Sequence, residues 1–397
     1  MKHPTDWSYK RLEDVVSRKK YAMVDGPFGS NLKSEHYKSE GVPVLQSGFV
    51  TSGKFLADKY VYVDHQLFNE QKRSAAKGGD ILMAKIGAQA GRCAIIPPSH
   101  PEAIIAGNCL KLSFDDNDTE FFSFVLCFNY ERDGLSEIKT ETAQPAISLK
   151  SLKAYRVPVP PLPEQKKIAQ ILSTWDKAIA TTEQLLANSQ QQKKALMQQL
   201  LTGKKRLLDS NGMRFSGEWS FITFDDMFKV NNKKSAQVKS SDYLEAGAVP
   251  VVDQGKQLIV GYCNNEEIYT DIPVIVFGDH TRCLKWVDFE FCPGADGTQV
   301  LDTKAGIDKK FGYYSLCFTD IPNLGYSRHM RELKEKDFKV PLDVKEQQKI
   351  AAVLSTADQE ITTLQQKLDA LKQEKKALMQ QLLTGKRRVK IDNNEVA

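Results

Sequence analysis

Two long stretches of the chain, Glu164 to Lys204 and Glu346 to Lys386, carry apolar residues at seven-residue spacing and copy one another. With Ile168 at heptad position a, the a positions are Ile168, Trp175, Thr182, Ser189 and Leu196. The d positions are Leu172, Ile179, Leu186, Lys193 and Leu200. The second copy places Ile350, Ala357, Leu364, Leu371 and Leu378 at a, and Leu354, Ile361, Leu368, Lys375 and Leu382 at d. A seam of this length buries poorly on a lone helix and well against a second seam, so the pattern predicts two long helices in a coiled coil. Pro163 fits a first helical turn, and Asp343 with Glu346 fits a capping box. Gly203 and Gly385 end the helices, with Lys204, Lys205, Arg206 and Lys386, Arg387, Arg388 at the negative end of the helix dipole. The copies align without a gap, 26 of 41 positions are identical, and the last twelve, from Lys193 and from Lys375, match completely.

The stretches between the helices carry a different pattern. Short apolar runs alternate with turn signals at Val42 to Leu45, Tyr60 to Val63, Ile81 to Met83, Cys93 to Ile96 and Leu110 to Leu112. This predicts a strand-rich domain with few helices, one of them Glu120 to Asn129. Its exit, Val157 to Pro163, is proline-rich and extended. After a polar linker from Leu207 to Glu218 the pattern restarts. Trp219-Ser220 and Phe224-Asp225-Asp226 repeat the spacing of Trp7-Ser8 and Leu12-Glu13-Asp14. Runs at Val249 to Val252, Leu258 to Tyr262, Pro273 to Phe277 and Leu284 to Phe289 follow, and Phe338 to Pro341 leads into the second helix. The chain therefore reads as a domain and a helix, twice: residues 1–160 and 161–206, then 207–342 and 343–397. Since the helices stayed alike while the domains drifted, the helices do one job twice and the domains do related but different jobs.

The hydrophobic share of 41% over 397 residues suits several packed cores. No apolar run is long enough to span a bilayer. The opening MKHPTDWSYKRLED lacks a signal-peptide core, which predicts a cytoplasmic protein without a membrane partner. Seven cysteines without a C-x-x-C pair fit a reducing compartment. A net charge of +5 permits nucleic-acid binding without requiring it.

Catalytic motifs are missing. Gly48 to Lys54 approaches a P-loop, but Phe55 stands where a Ser or Thr must hold magnesium, so a hairpin turn is the better reading. Neither an Asn/Asp-Pro-Pro-aromatic stretch nor a metal-binding histidine spacing occurs, and Asp133 with Glu137 and Lys139 is only a faint echo of a nuclease set. The chain reads as non-catalytic, with no cofactor or metal of its own.

Recognition chemistry is better supplied. Reading base edges calls for Arg, Lys, Asn or Gln on exposed turns, with further basic groups neutralising phosphates. In the first domain the candidates are Ser30, Asn31 and Lys33, then Lys85, Gln89 and Arg92, and the loop of Thr140 and Gln144. In the second they are Asn231, Asn232, Lys233 and Lys234, then Gln254 and Lys256, then His280, Thr281, Arg282 and Lys285, then Arg328, His329 and Arg331.

The Pro-rich lead-in to Glu164-Gln165 and Ile168, its repeat at Glu346-Gln347, the two LLTGK ends, Trp7 and Trp219, Gly26-Pro-Phe-Gly29 and Gly79-Asp80 together resemble the DNA-specificity (S) subunits of type I restriction-modification systems. The resemblance covers nearly the whole chain and is weakest in the second domain, which lacks clear counterparts of the two glycine motifs. It implies an α+β protein: two similar mixed α/β target-recognition domains alternating with two long helices that form an antiparallel intramolecular coiled coil with pseudo-two-fold symmetry. Each domain would read one half of a split target in double-stranded DNA, and the helices would dock two methyltransferase (M) subunits, with restriction/translocase (R) subunits in the full complex. S-adenosylmethionine, used for adenine methylation, would sit on the methyltransferase.

Helix geometry agrees with a split target. About 39 residues at ~1.5 Å each give a rod near 58 Å, against roughly 34–36 Å per turn of DNA. Periodicity by itself leaves parallel pairing open. In the identical terminal segments, Gln198, Gln199, Gln380 and Gln381 lie off the seam, where only a shared external surface would keep them alike. Together with Lys194, Met197, Lys376 and Met379 they are the candidate methyltransferase contacts. Two alternatives stand: a coiled-coil scaffold that binds no DNA, and a self-sufficient DNA-modifying enzyme.

Overall fold

The computed structural model describes residues 4, 6–27, 31–323, 325 and 327–391. The chain folds into two compact units, residues 1–181 with 368–397, and residues 182–367. Each long helix, Leu162–Leu200 and Val344–Leu382, gives one half to each unit.

In the first unit, an antiparallel sheet runs in the order Met23–Asp25, Cys109–Leu112, Ile81–Ala84, Cys93–Ile95. A second sheet has the order Tyr62–Val63, Val42–Leu45, Ala103–Ile105, Ala75–Ala76, with its two middle strands parallel. The strand Ile81–Ala84 is apolar throughout because it is covered on both faces, as continuous apolar runs usually are. Ile81 and Met83 enter a core with the helix Thr119–Glu131, while Leu82 and Ala84 enter the core between the sheets. Burying each such side chain contributes about 1.5–3 kcal/mol. A ribbon of Ser8–Arg11 and Arg156–Val159 closes the domain.

The second unit repeats this plan. Its first sheet runs Phe228–Val230, Thr298–Thr303, Val274–Gly278, Leu284–Val287, and its second runs Gly261–Cys263, Val249–Val252, Cys292–Pro293. The middle strand again divides its residues, Ile275 and Phe277 to the helix-side core and Val274 and Val276 to the other. The ribbon pairs Trp219–Thr223 with Asp337–Pro341.

Within each unit the long helices run antiparallel. In the first, Ile168 and Leu172 share a core with Met379, Leu382 and Leu383, and Lys375 Nζ lies 2.6 Å from Asp176. In the second, Ile350 and Leu354 share a core with Leu200 and Leu201, and Lys193 Nζ lies 2.5 Å from Asp358. The ends of the helices are thus members of the domain cores, and the two seam lysines meet aspartates repeated in both copies. Ser189 Oγ adds a hydrogen bond to Glu360 at 3.0 Å.

The repeated Glu-Gln pair explains itself here. Buried Glu164 accepts from Arg388 Nε and Nη2 at 2.7 and 2.8 Å and from Trp7 Nε1 at 3.0 Å. Buried Glu346 accepts from Arg206 Nε and Nη2 at 2.5 and 2.6 Å. Glu346 is therefore a latch onto the other helix's basic end, and Asp343 alone caps, accepting from Lys345 N at 2.8 Å. Each neighbouring glutamine ties the helix to its domain. Gln165 accepts from Asp118 N, and Gln347 accepts from Asp308 N. Gly203 and Gly385 take φ of +69° and +70°, and a Cβ on either would crowd Trp219 or Pro4 and Trp7.

Several elements depart from their sequence-based expectation. Residues Ser47–Val50 form a 3-10 turn in the long loop joining the consecutive antiparallel strands Val42–Leu45 and Tyr62–Val63, and the next helix begins only at His65, too far on to complete a P-loop. Leu258 and Ile259 are exposed loop residues, and the strand begins at Gly261. The strand Thr298–Thr303 and the helix Lys309–Phe318 had no clear periodic signal.

Candidate nucleic-acid interface

In the first domain, loops at one end of the central sheet assemble through backbone hydrogen bonds. Gly87 N donates to Pro145 O at 2.8 Å and Ile147 N to Lys85 O at 2.9 Å, which joins the 85–92 turn to the 140–147 loop. Tyr130 organises the cluster between them. Its hydroxyl donates to Gln89 Oε1 at 3.1 Å, while Arg92 and Lys139 stack on its ring at 4.9 and 5.0 Å. Gln144 lies exposed in the adjoining loop, where Thr142 Oγ1 donates to its carbonyl at 2.8 Å. Lys85 behaves differently. Its Nζ is buried 3.0 Å from Asp25, which also receives Arg73 at 2.7 Å, so the lysine fixes the strand end from inside. Asn31 and Lys33 are exposed, with Lys33 paired to Glu35 at 3.4 Å. Ser30 lies outside the described residues, as do Phe28 and Gly29 of the glycine motif.

Gly26 sits where the chain leaves its strand, and a Cβ there would fall 2.0 Å from Ala106 O. The nearby Asn108 Nδ2 donates to Ser47 Oγ at 2.9 Å, adding two polar residues that sequence reasoning did not single out.

The second domain gathers its candidates more tightly. The loops at 253–256, 279–283, 296–297 and 327–331 interlock. His280 N donates to Gln254 Oε1 at 3.1 Å, and Thr281 Oγ1 donates to Gln254 O. His280 Nδ1 lies 3.1 Å from Ser327 O, and His329 Nδ1 lies 2.8 Å from Asp279 O. Met330 N donates to Asp279 Oδ1 at 2.7 Å and Arg282 Nη1 to Ile321 O at 2.8 Å. His329 is buried, so it braces the cluster while Arg328 and Arg331 stay exposed beside it. Lys285 is also buried. Its Nζ donates to Asp253 O at 2.6 Å, and desolvation pulls its pKa down while Asp253 opposes that shift.

Asn231, Asn232, Lys233 and Lys234 follow the strand Phe228–Val230, the place Gly26 occupies in the first domain. Lys233 stacks on Tyr269 at 4.9 Å, and Lys234 and Lys256 are exposed. Asn232 Oδ1 accepts from Val300 N at 2.8 Å, which turns its Nδ2 onto Gln299 Oε1 at 2.7 Å. Gln299 escaped the sequence reading because its strand did.

On the helix ends, Lys194, Gln198, Gln199, Lys376, Gln380 and Gln381 are exposed. Met197 packs partly buried on the second unit's core and Met379 is buried in the first unit's core, so neither offers the open surface of its neighbours.

The family profile described as "Type I restriction modification DNA specificity domain" matches residues 4–188 and 216–373. A Methanocaldococcus jannaschii protein described as "Putative type I restriction enzyme MjaX specificity subunit" is 27% identical over 416 residues, covering 98% of this chain and 95% of that one. The S subunit from M. genitalium shares the fold with a TM-score of 0.63 at 16% identity, over 96% of this chain and 98% of that one. A chain from a structure of the type I R-M system aligns with a TM-score of 0.54 at 17% identity, over 98% of this chain and 100% of that one. With both domains and most of both helices inside the family profile, the chain belongs to the type I restriction-modification DNA specificity family.

Proposed function

We propose that each domain reads one half of a split DNA target and that the two long helices set the spacing between the reads. The observation that carries this is the repetition of one domain plan with two different sets of loop donors. In the first domain the readers are drawn from Asn31, Lys33, Gln89, Arg92 and Gln144. In the second they come from Lys233, Lys234, Gln254, Lys256, His280, Thr281, Arg282, Arg328 and Arg331. Lys85, Lys285 and His329 act behind them, holding loops in place. Donors fixed by a hydrogen-bonded scaffold suit base-edge recognition, because little side-chain freedom is lost on binding.

The chain itself does no chemistry in this reading. The repeated outer surface of the helix ends, Lys194, Gln198, Gln199 and their counterparts Lys376, Gln380, Gln381, suits two identical methyltransferase subunits, which bring S-adenosylmethionine, and restriction/translocase subunits join the full complex. Such a complex works on DNA in the cytoplasm. Among the described residues, no helix is long and apolar enough to cross a membrane.

The assembled complex, offered a randomised duplex library, is expected to select a motif in two blocks separated by an unread spacer. Its affinity should fall as salt rises. Selection of no motif, or of a single uninterrupted block, would contradict the proposal.

A further inference from the structure

We propose that Gln254 is a specificity-determining residue of the second domain whose side chain is locked as a hydrogen-bond donor, so that the base it meets is a guanine. The inference rests on the DNA-reading role proposed above and adds the polarity of one contact.

The amide of a glutamine has an acceptor end and a donor end, and which one faces outward is decided by its fixed partners. Here the partner is the backbone N–H of His280, which can only donate, 3.1 Å from Gln254 Oε1. The oxygen is therefore the inner atom. It is also packed in, since a Cβ on Gly297 would lie 2.6 Å from it and 2.7 Å from His280 Cδ2. Gly297 has φ of +72°, so both its conformation and the space beside it favour glycine. The loop carrying Gln254 is held by Lys285 Nζ on Asp253 O, by Thr281 Oγ1 on Gln254 O, and by Gly255 N on Asp253 Oδ1 at 2.7 Å. Among the described residues no acceptor meets Gln254 Nε2, and its two hydrogens remain to be satisfied by whatever binds.

In the major groove, guanine alone offers two adjacent acceptors, O6 and N7, without a donor between them. Adenine offers an acceptor beside a donor and needs the glutamine oxygen as well, which is turned inward onto His280 N. Cytosine offers a donor, and thymine one acceptor next to a methyl group. An outward-facing amide nitrogen matches the guanine edge. Gln299 is oriented the same way by Asn232, so the domain uses this device twice.

The test compares the methylated motif in cells expressing the complete complex with the unsubstituted chain, Gln254→Glu or Gln254→Ala. Gln254→Glu keeps the oxygen that His280 needs and the side-chain volume, and exchanges the outward donor for an acceptor while adding one negative charge, which weakens binding to every sequence alike and leaves the base preference as the readout. Gln254→Ala is expected to relax one G·C pair in one block of the motif. Gln254→Glu is expected to disfavour that pair about tenfold and to favour its inversion, which brings the cytosine amino group to the acceptor. The other block should stay unchanged. If the relaxed position is an A·T pair, or if Gln254→Glu retains the original preference, the donor assignment is wrong while DNA reading stands. If the unsubstituted complex methylates without sequence preference, both fail.

Discussion

Glu346 is fully buried, and among the described residues Arg206 supplies both hydrogen bonds to its carboxylate. Glu164 occupies the equivalent place but keeps a third donor, the indole N–H of Trp7, whereas the buried indole N–H of Trp219 meets no partner among the described residues. Removing one member of a buried ion pair strands the other charge, at a cost of about 3–5 kcal/mol. Arg206→Ala is therefore expected to destabilise the chain by that amount in urea unfolding. Arg388→Ala should cost less, about 2 kcal/mol, because Trp7 still donates to Glu164 and Arg388 is more exposed. Arg388 also donates to exposed Asp6 at 2.7 and 2.6 Å, a surface pair worth little, so equal losses would show that Trp7 does not support the carboxylate. These latches were present in the sequence only as repeated letters. Residue identity repeated at a fixed offset marked Glu164, Gln165, Glu346 and Gln347 as important, but nothing local says that a glutamate at a helix start faces an arginine more than a hundred residues away.

At the scale of elements, the helices were the most legible part of the chain. A seven-residue period sustained over 39 residues leaves little room for another structure, and both helices run close to where their proline and glycine signals place them. The strands were legible where apolar runs stood between turn residues, as at Val42–Leu45. They were lost where polar residues are buried by partners elsewhere in the chain, as with Asp302 in Thr298–Thr303, which receives Lys309 at 3.1 Å and Lys229 at 3.2 Å. The seam lysines were visible but their partners were not, because Asp176 and Asp358 flank the opposite seam. The Lys193–Asp358 pair is partly exposed, and Asp358 also accepts from Tyr314 at 2.7 Å. A double-mutant cycle with Lys193→Met and Asp358→Asn should return a coupling of roughly 0.2–1 kcal/mol. A value well above that would mean the layer behaves as a buried pair. The outer surface of the same helix ends gives a separate prediction. Gln199→Glu combined with Gln381→Glu should reduce co-purification with the methyltransferase without lowering stability, and unchanged assembly would remove these glutamines from the docking surface.

At the scale of the molecule, one plan is used twice with different loops. The domain plan, two sheets, a helix on one face and a closing ribbon, is common to both units, and so are the latches and the lysine–aspartate layers. What differs is the loop chemistry: a tyrosine carrying Gln89 and Arg92 in the first domain, an interlocked set around Gln254 and His280 in the second. The loops were the least legible feature, since which polar residues turn inward depends on partners such as Asp25 and Asp253 that no local pattern announces. If each domain reads its own half-site, the two readers act independently. The most direct measurement is the methylated motif of cells in which residues 219–340 have been replaced by the corresponding domain of another specificity subunit. One block of the motif should change to the donor's sequence while the other block and the spacer length remain as before. Alteration of both blocks, or of neither, would contradict the assignment of one half-site to each domain.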